Sequence, residues 1–256
     1  MASFAGKSSI LMVLFRLFEP LAGSSVVIDG VDALALPLRR LRSALAVIPQ
    51  DPIIFSGSLR ANLDPFSESS DLDIWTALEK VTLKPFAQAL PKRLDELMGS
   101  DGGQLSFGQR QLVCIARAML KKSRVLLCDE ATSSVDQATD QTIQRIIRTE
   151  FADHTVLTIA HRLDTIIDCD RVMVMEDGAV AEFDAPGALL RDPGSLFAQM
   201  AAKAGVGAAE RGGGGGGGGG AQAAAAVPGT GVPRPARGDP VATRPKADGG
   251  AQESVV

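Results

Sequence analysis

Long apolar runs, cysteine pairs and an excess of positive charge are all missing from this sequence of 256 residues. No stretch reaches the roughly 18 uncharged apolar residues that a membrane-spanning helix needs, so we do not expect the chain to cross a bilayer by itself. The three cysteines, Cys114, Cys128 and Cys169, have no CxxC spacing, which favours buried roles in a reduced compartment over a metal site. The formal net charge of −4 gives no electrostatic reason to expect a nucleic-acid partner.

Glycine and proline are concentrated at one end of the chain. The last 52 residues hold 16 of the 27 glycines and 5 of the 14 prolines, with an unbroken run of glycine over Gly212–Gly220. Such a segment has little to bury, so its composition predicts a disordered tail over residues 205–256. The remaining body, residues 1–204, is long enough for one core, or for one core with a small subdomain.

The body alternates short apolar runs with helical patterns. Residues between Asp71 and Leu94 have apolar side chains at helical spacing. Strands are predicted at Val26–Ile28, Ala46–Ile48, Val125–Cys128 and Thr155–Ile159, with a hairpin over Val172–Met175 and Ala179–Phe183. Strands separated by helices predict an α/β domain with a largely parallel sheet. Three arginines at positions 39, 40 and 42 are interpreted as a solvated basic face.

The first chemical motif is Gly6-Lys7-Ser8-Ser9 in front of an apolar helical stretch. This pattern is typical of the end of a phosphate-binding loop, in which backbone N–H groups at a helix start face the phosphates. Lys7 would reach the β- and γ-phosphates of a nucleotide, and the Ser8 hydroxyl would bind Mg²⁺. By themselves these residues are weak evidence, because a Gly-Lys-Ser turn before a helix is common by chance.

The second motif is the apolar run Val125–Cys128, which ends in Asp129 and Glu130. Two carboxylates at the end of a buried strand lie at the carboxyl edge of a sheet, where open α/β folds bind ligands. Asp129 would orient the Mg²⁺ shell and Glu130 would polarise an attacking water. The alternative is that the strand simply leaves the core into a solvated acidic turn.

The third motif covers Leu105, Ser106, Phe107, Gly108 and Gln109. Ser106 with Gln109 three residues later matches a capping box, and an apolar stripe follows at helical spacing. An ordinary well-capped helix explains those features but not Gly108, which costs about 1 kcal/mol in a first turn unless the backbone must approach something closely. The glycine therefore favours a functional interpretation.

In their order along the chain, the three motifs resemble those of the nucleotide-binding domain of ABC transporters. The resemblance implies a RecA-like P-loop core with a helical subdomain over about residues 58–119, and Mg²⁺ with ATP as substrate. Residues 105–109 would be the signature that binds the ATP of a second nucleotide-binding domain in a head-to-tail dimer. The resemblance further implies a D-loop ending at Asp136, a switch histidine at His161, and a Q-loop glutamine at Gln50. Ser8, Gln50 and Asp129 would hold the Mg²⁺.

The segments around Gln50 and around Asn62–Phe66 are similar to the second nucleotide-binding domain of subfamily C, the multidrug-resistance-associated type. That similarity implies export of small molecules, organic anions or conjugates among them. The transmembrane domains would lie outside this chain and hold it at the cytoplasmic face of a membrane.

The N-terminus departs from the family pattern. Met1 and Phe4 stand where the family has loop glycines, and no tyrosine is present to stack on adenine. We therefore expect an incomplete N-terminus, with weak or no ATP binding by the isolated chain at its own phosphate loop. Two alternatives to a transport ATPase stay open: a degenerate, non-hydrolytic module of the same family, and a soluble ATPase of this type acting on ribosomes or DNA.

Overall fold

A six-stranded sheet organises the computed structural model, which describes residues 6–99, 104–129, 135–160, 162–205 and 252–255. The helices are α1 Lys7–Leu14, α2 Leu38–Ala44, α3 Leu59–Leu63, α4 Asp71–Lys80, α5 Lys84–Ala89, α6 Phe107–Leu120, α7 Gln137–Glu150, α8 Pro186–Arg191 and α9 Leu196–Lys203. The strands are β1 Val27–Ile28, β2 Val31–Asp32, β3 Leu45–Ile48, β4 Gly57–Ser58, β5 Leu97–Met98, β6 Val125–Asp129, β7 Thr155–Ile159, β8 Arg171–Glu176, β9 Ala179–Asp184 and β10 Gln252–Val255. Short 3-10 turns occupy Arg93–Asp95 and Leu163–Thr165.

The strand order in the main sheet is β3-β6-β7-β10-β8-β9. All pairs are parallel except β8 with β9, which form the predicted hairpin. Helices lie between most of the sheet strands along the chain, so the α/β class with a largely parallel sheet is confirmed. Within the described residues, no helix has both the length and the apolar character needed to cross a membrane.

β6 is a central strand because it is apolar on both faces. Leu126, Leu127 and Cys128 are all buried, as the continuous apolar run predicts for a strand covered on two sides. Burial raises the pKa of the Cys128 thiol to about 12. Cys114 on α6 is buried as well, so both cysteines behave as small hydrophobic core residues.

The region predicted to be helical between Asp71 and Leu94 divides into α4, α5 and a 3-10 turn. Ile74, Leu78 and Val81 face the core, as their spacing predicts. The break follows at Thr82, whose φ of 61° no helix accommodates. One buried cluster contains these residues together with Ile48 of β3 and side chains of α6, so this region and the sheet share a core.

α1 packs across one face of the sheet. Leu11 shares a buried cluster with Leu127 of β6 and Ile159 of β7. At the carboxyl end of the helix, the Arg42 guanidinium donates to the carbonyl oxygens of Phe15 at 3.0 Å and of Arg16 at 3.2 Å. Arg42 is therefore part of a long-range cap on α1, and the expectation of a merely solvated basic face was wrong for this residue.

The expected tail contributes a strand. Residues 206–251 lie outside the described residues, but Gln252–Val255 form β10, which pairs in parallel with both β7 and β8. The expectation of disorder throughout 205–256 did not include this strand.

Candidate functional site

Two neighbouring strands of the main sheet, β3 and β6, place predicted site residues at one edge of that sheet. Ile48 of β3 is in register with Cys128 of β6, and Asp129 is in register with Ile159 of β7. Because the strands are parallel, their carboxyl ends meet at the same edge. Asp129 ends β6 there, and Gln50 follows β3 by two residues. Two further predicted residues, Glu130 and His161, lie outside the described residues, as do positions 133 and 134 at the start of the expected D-loop.

The start of α1 lies near the same edge. Gly6 caps the helix with φ +86°, a left-handed conformation that favours glycine, and its carbonyl oxygen accepts from the Ser9 N–H at 3.1 Å. A Cβ at Gly6 would lie 3.7 Å from the Cα of Gly178, in the turn that follows β8. Lys7, Ser8 and Ser9 form the first turn. The exposed N–H groups and positive dipole end of such a helix start favour an anionic ligand.

The segment that carries Gln50 is tied to α6 by a buried amide. Gln111 is fully buried, and its Nε2 donates to the carbonyl oxygen of Pro49 at 3.1 Å. This bond fixes the backbone immediately before Gln50 relative to α6. The role of Gln111 could not be predicted from the sequence, because its partner lies 62 residues away and no local spacing indicates the pairing.

Residues 105–109 form the predicted capped start of α6. The Ser106 hydroxyl accepts from the Gln109 N–H at 3.2 Å, and the Ser106 N–H donates to Gln109 Oε1 at 2.9 Å. The capping box is therefore confirmed. Leu105 anchors the motif in the core, and the Arg110 guanidinium lies 5.7 Å from the Phe107 ring centroid. Ser106 stays exposed at the tip of the helix.

Asp136 caps α7 and contacts a residue that also packs on the signature. Its carboxylate accepts from the Thr139 N–H at 3.0 Å and from the Thr139 hydroxyl at 2.7 Å. The hydroxyl bond is the main cause that holds the pKa of Asp136 below its ordinary value. Thr139 lies against Gly108, so Asp136 and Gly108 share one neighbour.

Asn62, the sequence's single asparagine, fixes the segment that follows Gln50. It is buried, its Oδ1 accepts from the Phe55 N–H at 2.8 Å, and its Nδ2 donates to the carbonyl oxygens of Phe55 at 2.9 Å and Ser58 at 3.1 Å. Arg117 of α6 adds bonds to the carbonyl oxygens of Asn62 at 2.7 Å and Ile53 at 3.2 Å. Burial lowers the pKa of Arg117.

We call the hydrogen bonds that Asn62 and Arg117 make to this segment the clamp. The segment that the clamp holds carries two large apolar side chains that are exposed to solvent. Ile53 is 55% exposed and Phe55 is 56% exposed, although side-chain hydrogen bonds from Asn62 and Arg117 hold the backbone of both residues. The Arg117 guanidinium lies 5.3 Å from the Phe55 ring centroid. Exposed apolar residues on a fixed backbone are typical of a protein contact surface.

The sequence of this chain matches a known family model and known proteins of that family. Residues 2–133 match the family model described as ABC transporter. The chain is 54% identical over 202 residues to ATP-binding cassette sub-family C member 3 of Mus musculus, covering 79% of this chain and 13% of that protein. It is 49% identical over 199 residues to ABC transporter C family MRP4 of Zea mays, covering 78% and 13%. The chain thus spans about an eighth of the length of these relatives.

A solved structure agrees with the fold. A bacterial Atm1-family ABC exporter with ATP bound superposes with a TM-score of 0.71 and 36% identity, covering 78% of this chain and 35% of the exporter chain. The chain therefore belongs to the ABC transporter family, as an ATP-binding domain of the subfamily C exporter type.

Proposed function

We propose that this chain binds and hydrolyses ATP to power the export of small molecules, organic anions or conjugates among them. The observation that carries the proposal is the meeting of the α1 start, Gln50 and Asp129 at the carboxyl edge of β3, β6, β7 and β8. Residues 1–204 would form the nucleotide-binding domain, with residues 58–119 as its helical subdomain.

The phosphate contacts would come from α1. Its first-turn N–H groups and the Lys7 ammonium match the negative charge of the β- and γ-phosphates. Ser8, Gln50 and Asp129 offer hydroxyl, amide and carboxylate oxygens, which are the hard donors that Mg²⁺ prefers. When bound, that ion would neutralise phosphate charge. Lys7 and the helix start would hold the γ-phosphate at the edge where Asp129 ends β6.

Hydrolysis would rest on the two residues that follow β6 and β7. Glu130, directly after Asp129, would orient and polarise the attacking water. His161, one residue beyond Ala160, would contact the γ-phosphate and stabilise the charge that develops on it. Both roles are proposals that rest on position in the sequence and on the strands that precede them.

The signature would serve a partner domain. Ser106 lies exposed at the start of a capped helix, so it is accessible to the γ-phosphate held by the opposite domain of a head-to-tail dimer, with Gly108 beside it. Asp136 would contact the same partner. The exposed pair Ile53 and Phe55, next to Gln50, suits a transmembrane-domain partner, which would hold this chain at the cytoplasmic face.

A transporter chimera tests the proposal. Residues 6–204 would replace the matching segment of a full-length subfamily C relative that keeps its own residues before the phosphate loop. We expect Mg-ATP turnover, with Glu130→Gln abolishing turnover while ATP binding persists. Turnover that is unchanged in Glu130→Gln would contradict the assigned mechanism.

The second candidate is a non-hydrolytic nucleotide-binding module. Phe4 and Met1 favour it, because bulky side chains at these loop positions obstruct close wrapping of phosphate. ATP binding without turnover in the chimera, when a relative's own segment restores turnover, would favour this candidate.

A further inference from the structure

Two ion pairs join α7 to the segment that follows β7. Asp140 Oδ2 lies 3.1 Å from Arg162 Nη1, and Asp168 Oδ2 lies 3.1 Å from Arg148 Nη2. An open groove of about 400 Å³ runs along the same face of α7, and Thr165 of the 3-10 turn lines it as well. Asp140 and Arg148 are both part of the groove wall, so each ion pair lies beside the groove.

The apolar side chains of the two elements pack in different places. Ile143 and Ile147 of α7 belong to the buried cluster that contains side chains of β6. Leu163 and Ile166 belong to another buried cluster, with side chains of β8 and α9. In the part of the chain that the structure describes, α7 and the segment after β7 are therefore anchored in separate clusters, and the ion pairs fix one relative to the other.

The two ion pairs differ in their surroundings. The Asp140 side chain is 7% exposed, whereas both members of the Arg148–Asp168 pair are more than 40% exposed. An exposed ion pair contributes little, but a buried carboxylate that loses its partner is strongly unfavourable. Asp140 Oδ1 is buried too and has no hydrogen-bond partner among the described residues. The charge of Asp140 is therefore compensated through Arg162.

The buried pair lies next to residues that the proposed hydrolysis uses. Arg162 directly follows His161, the proposed contact of the γ-phosphate. Asp140 lies one helical turn after Asp136, whose carbonyl oxygen accepts from the Asp140 N–H at 2.9 Å. The pair thus ties the backbone beside His161 to the first turns of α7. A displacement of about 1 Å in a reacting group can slow a reaction by about 100-fold, so such a tie has catalytic consequences.

We propose that Asp140 is a positioning residue for ATP hydrolysis, and that it acts through Arg162 on the backbone that carries His161. This inference rests on the proposed function. The Asp140 carboxylate holds the Arg162 guanidinium, and the guanidinium in turn fixes the chain where it leaves β7. The Arg148–Asp168 pair joins the same two elements farther from His161 and is exposed, so it is the natural control.

Nuclear magnetic resonance of the full chain tests the positioning without ATP. The chain has two histidines, His154 and His161, so isotope-labelled histidine gives two ring signals, which His161→Gln assigns. At about pH 8.5 an unperturbed imidazole is neutral, so the signals report surroundings and not charge. Asp140→Asn should shift the His161 signal and leave the His154 signal in place. Arg148→Gln should leave both signals in place.

Kinetics of the transporter chimera test the consequence for hydrolysis. Asp140→Asn should lower kcat by about 10- to 100-fold, because His161 is misplaced. KM for Mg-ATP should change by less than about threefold, because the phosphate contacts from α1 are kept. Arg148→Gln should leave kcat within about twofold of the unmodified chimera.

Two variants at the exposed end of the pair keep the test decisive if Asp140→Asn does not fold. Arg162→Gln removes the charge and should lower kcat as Asp140→Asn does. Arg162→Lys keeps a positive charge within reach of the carboxylate and should retain at least about a third of kcat. Equal kcat in Arg162→Gln and Arg162→Lys would contradict a role for the pair.

The positioning role would be overturned by a His161 signal that does not respond to Asp140→Asn, or by equal kcat in Asp140→Asn and Arg148→Gln. A rise in KM with unchanged kcat would overturn it too, because that result reports weaker binding and not a misplaced catalytic group. Failure of the unmodified chimera to hydrolyse ATP would instead refute the proposed function. The ring signals of the full chain would then still decide whether Asp140 holds the backbone at His161.

Discussion

Gly108 of the signature and Thr139 of α7 approach so closely that a Cβ on Gly108 would lie 2.8 Å from Thr139 Cγ2. Thr139 cannot simply rotate away, because its hydroxyl donates to Asp136 at 2.7 Å. The glycine is therefore required for packing within the chain, whatever it contacts in a partner.

Gly108→Ala should destabilise the chain through this contact. Overpacking costs about 1–3 kcal/mol, offset by about 1 kcal/mol of better helix propensity. Urea unfolding measures the net effect. In a Thr139→Ser background, which removes Cγ2 but keeps the hydroxyl, the same change should be neutral or stabilising. A Gly108→Ala cost that is equal in the two backgrounds would show that the contact with Thr139 is not its cause.

The Thr139–Asp136 bond predicts a pH-dependent effect of Thr139→Val, which keeps the methyl contact and removes the hydroxyl. The Thr139 hydroxyl lowers the pKa of Asp136 below its ordinary value of 3.8. A carboxyl whose folded pKa is depressed stabilises the fold above its unfolded pKa, and this contribution disappears as pH falls through the folded pKa. The difference in unfolding free energy between wild type and variant should therefore be largest above about pH 4 and shrink below it.

Thr142→Val is the matched control for that measurement. Thr142 lies on the same helix and its hydroxyl donates to the carbonyl oxygen of Ala138 at 3.0 Å, an acceptor that does not titrate. Its effect should be constant with pH. A pH-independent effect of Thr139→Val would exclude the assigned coupling to the Asp136 carboxylate.

Asn62→Ala should loosen the segment after Gln50. It removes three side-chain hydrogen bonds in a buried place, so we expect a loss of about 2–4 kcal/mol in unfolding free energy. Limited proteolysis should show faster cleavage near Ile53 and Phe55. Gln88→Ala, at an exposed amide on α5, should stay within about 0.5 kcal/mol of wild type. Unchanged proteolysis in Asn62→Ala would rule out the clamp.

Two parts of the fold, β6 and the start of α6, could be predicted from short stretches of sequence. β6 was predictable because Val125–Cys128 is a continuous apolar run, and the start of α6 because Ser106 and Gln109 have capping-box spacing. The parallel order of strands then brings Asp129 and the Gln50 segment to one edge.

What local patterns could not predict depends on partners far along the chain. Gln111 binds Pro49, Arg117 binds Ile53 and Asn62, and Arg42 caps α1 from 26 or 27 residues away. Gly108 is a further example. The sequence led us to expect that a ligand approaches this glycine closely, but the close neighbour in the structure is Thr139 of the same chain. β10 was missed because its polar sequence does not resemble an interior strand.

The nucleotide site is tested most directly by the affinity of the transporter chimera for Mg-ATP, measured by calorimetry. The chimera is compared with its Lys7→Ala variant and, as a control, with Lys92→Ala, which removes an exposed lysine of the proposed helical subdomain. A charge-assisted contact to phosphate is worth about 1.5–3 kcal/mol, so Lys7→Ala should weaken binding at this site by at least about tenfold, while Lys92→Ala leaves it unchanged. Equal affinity in Lys7→Ala and Lys92→Ala would contradict the assignment of the α1 start as the phosphate-binding element.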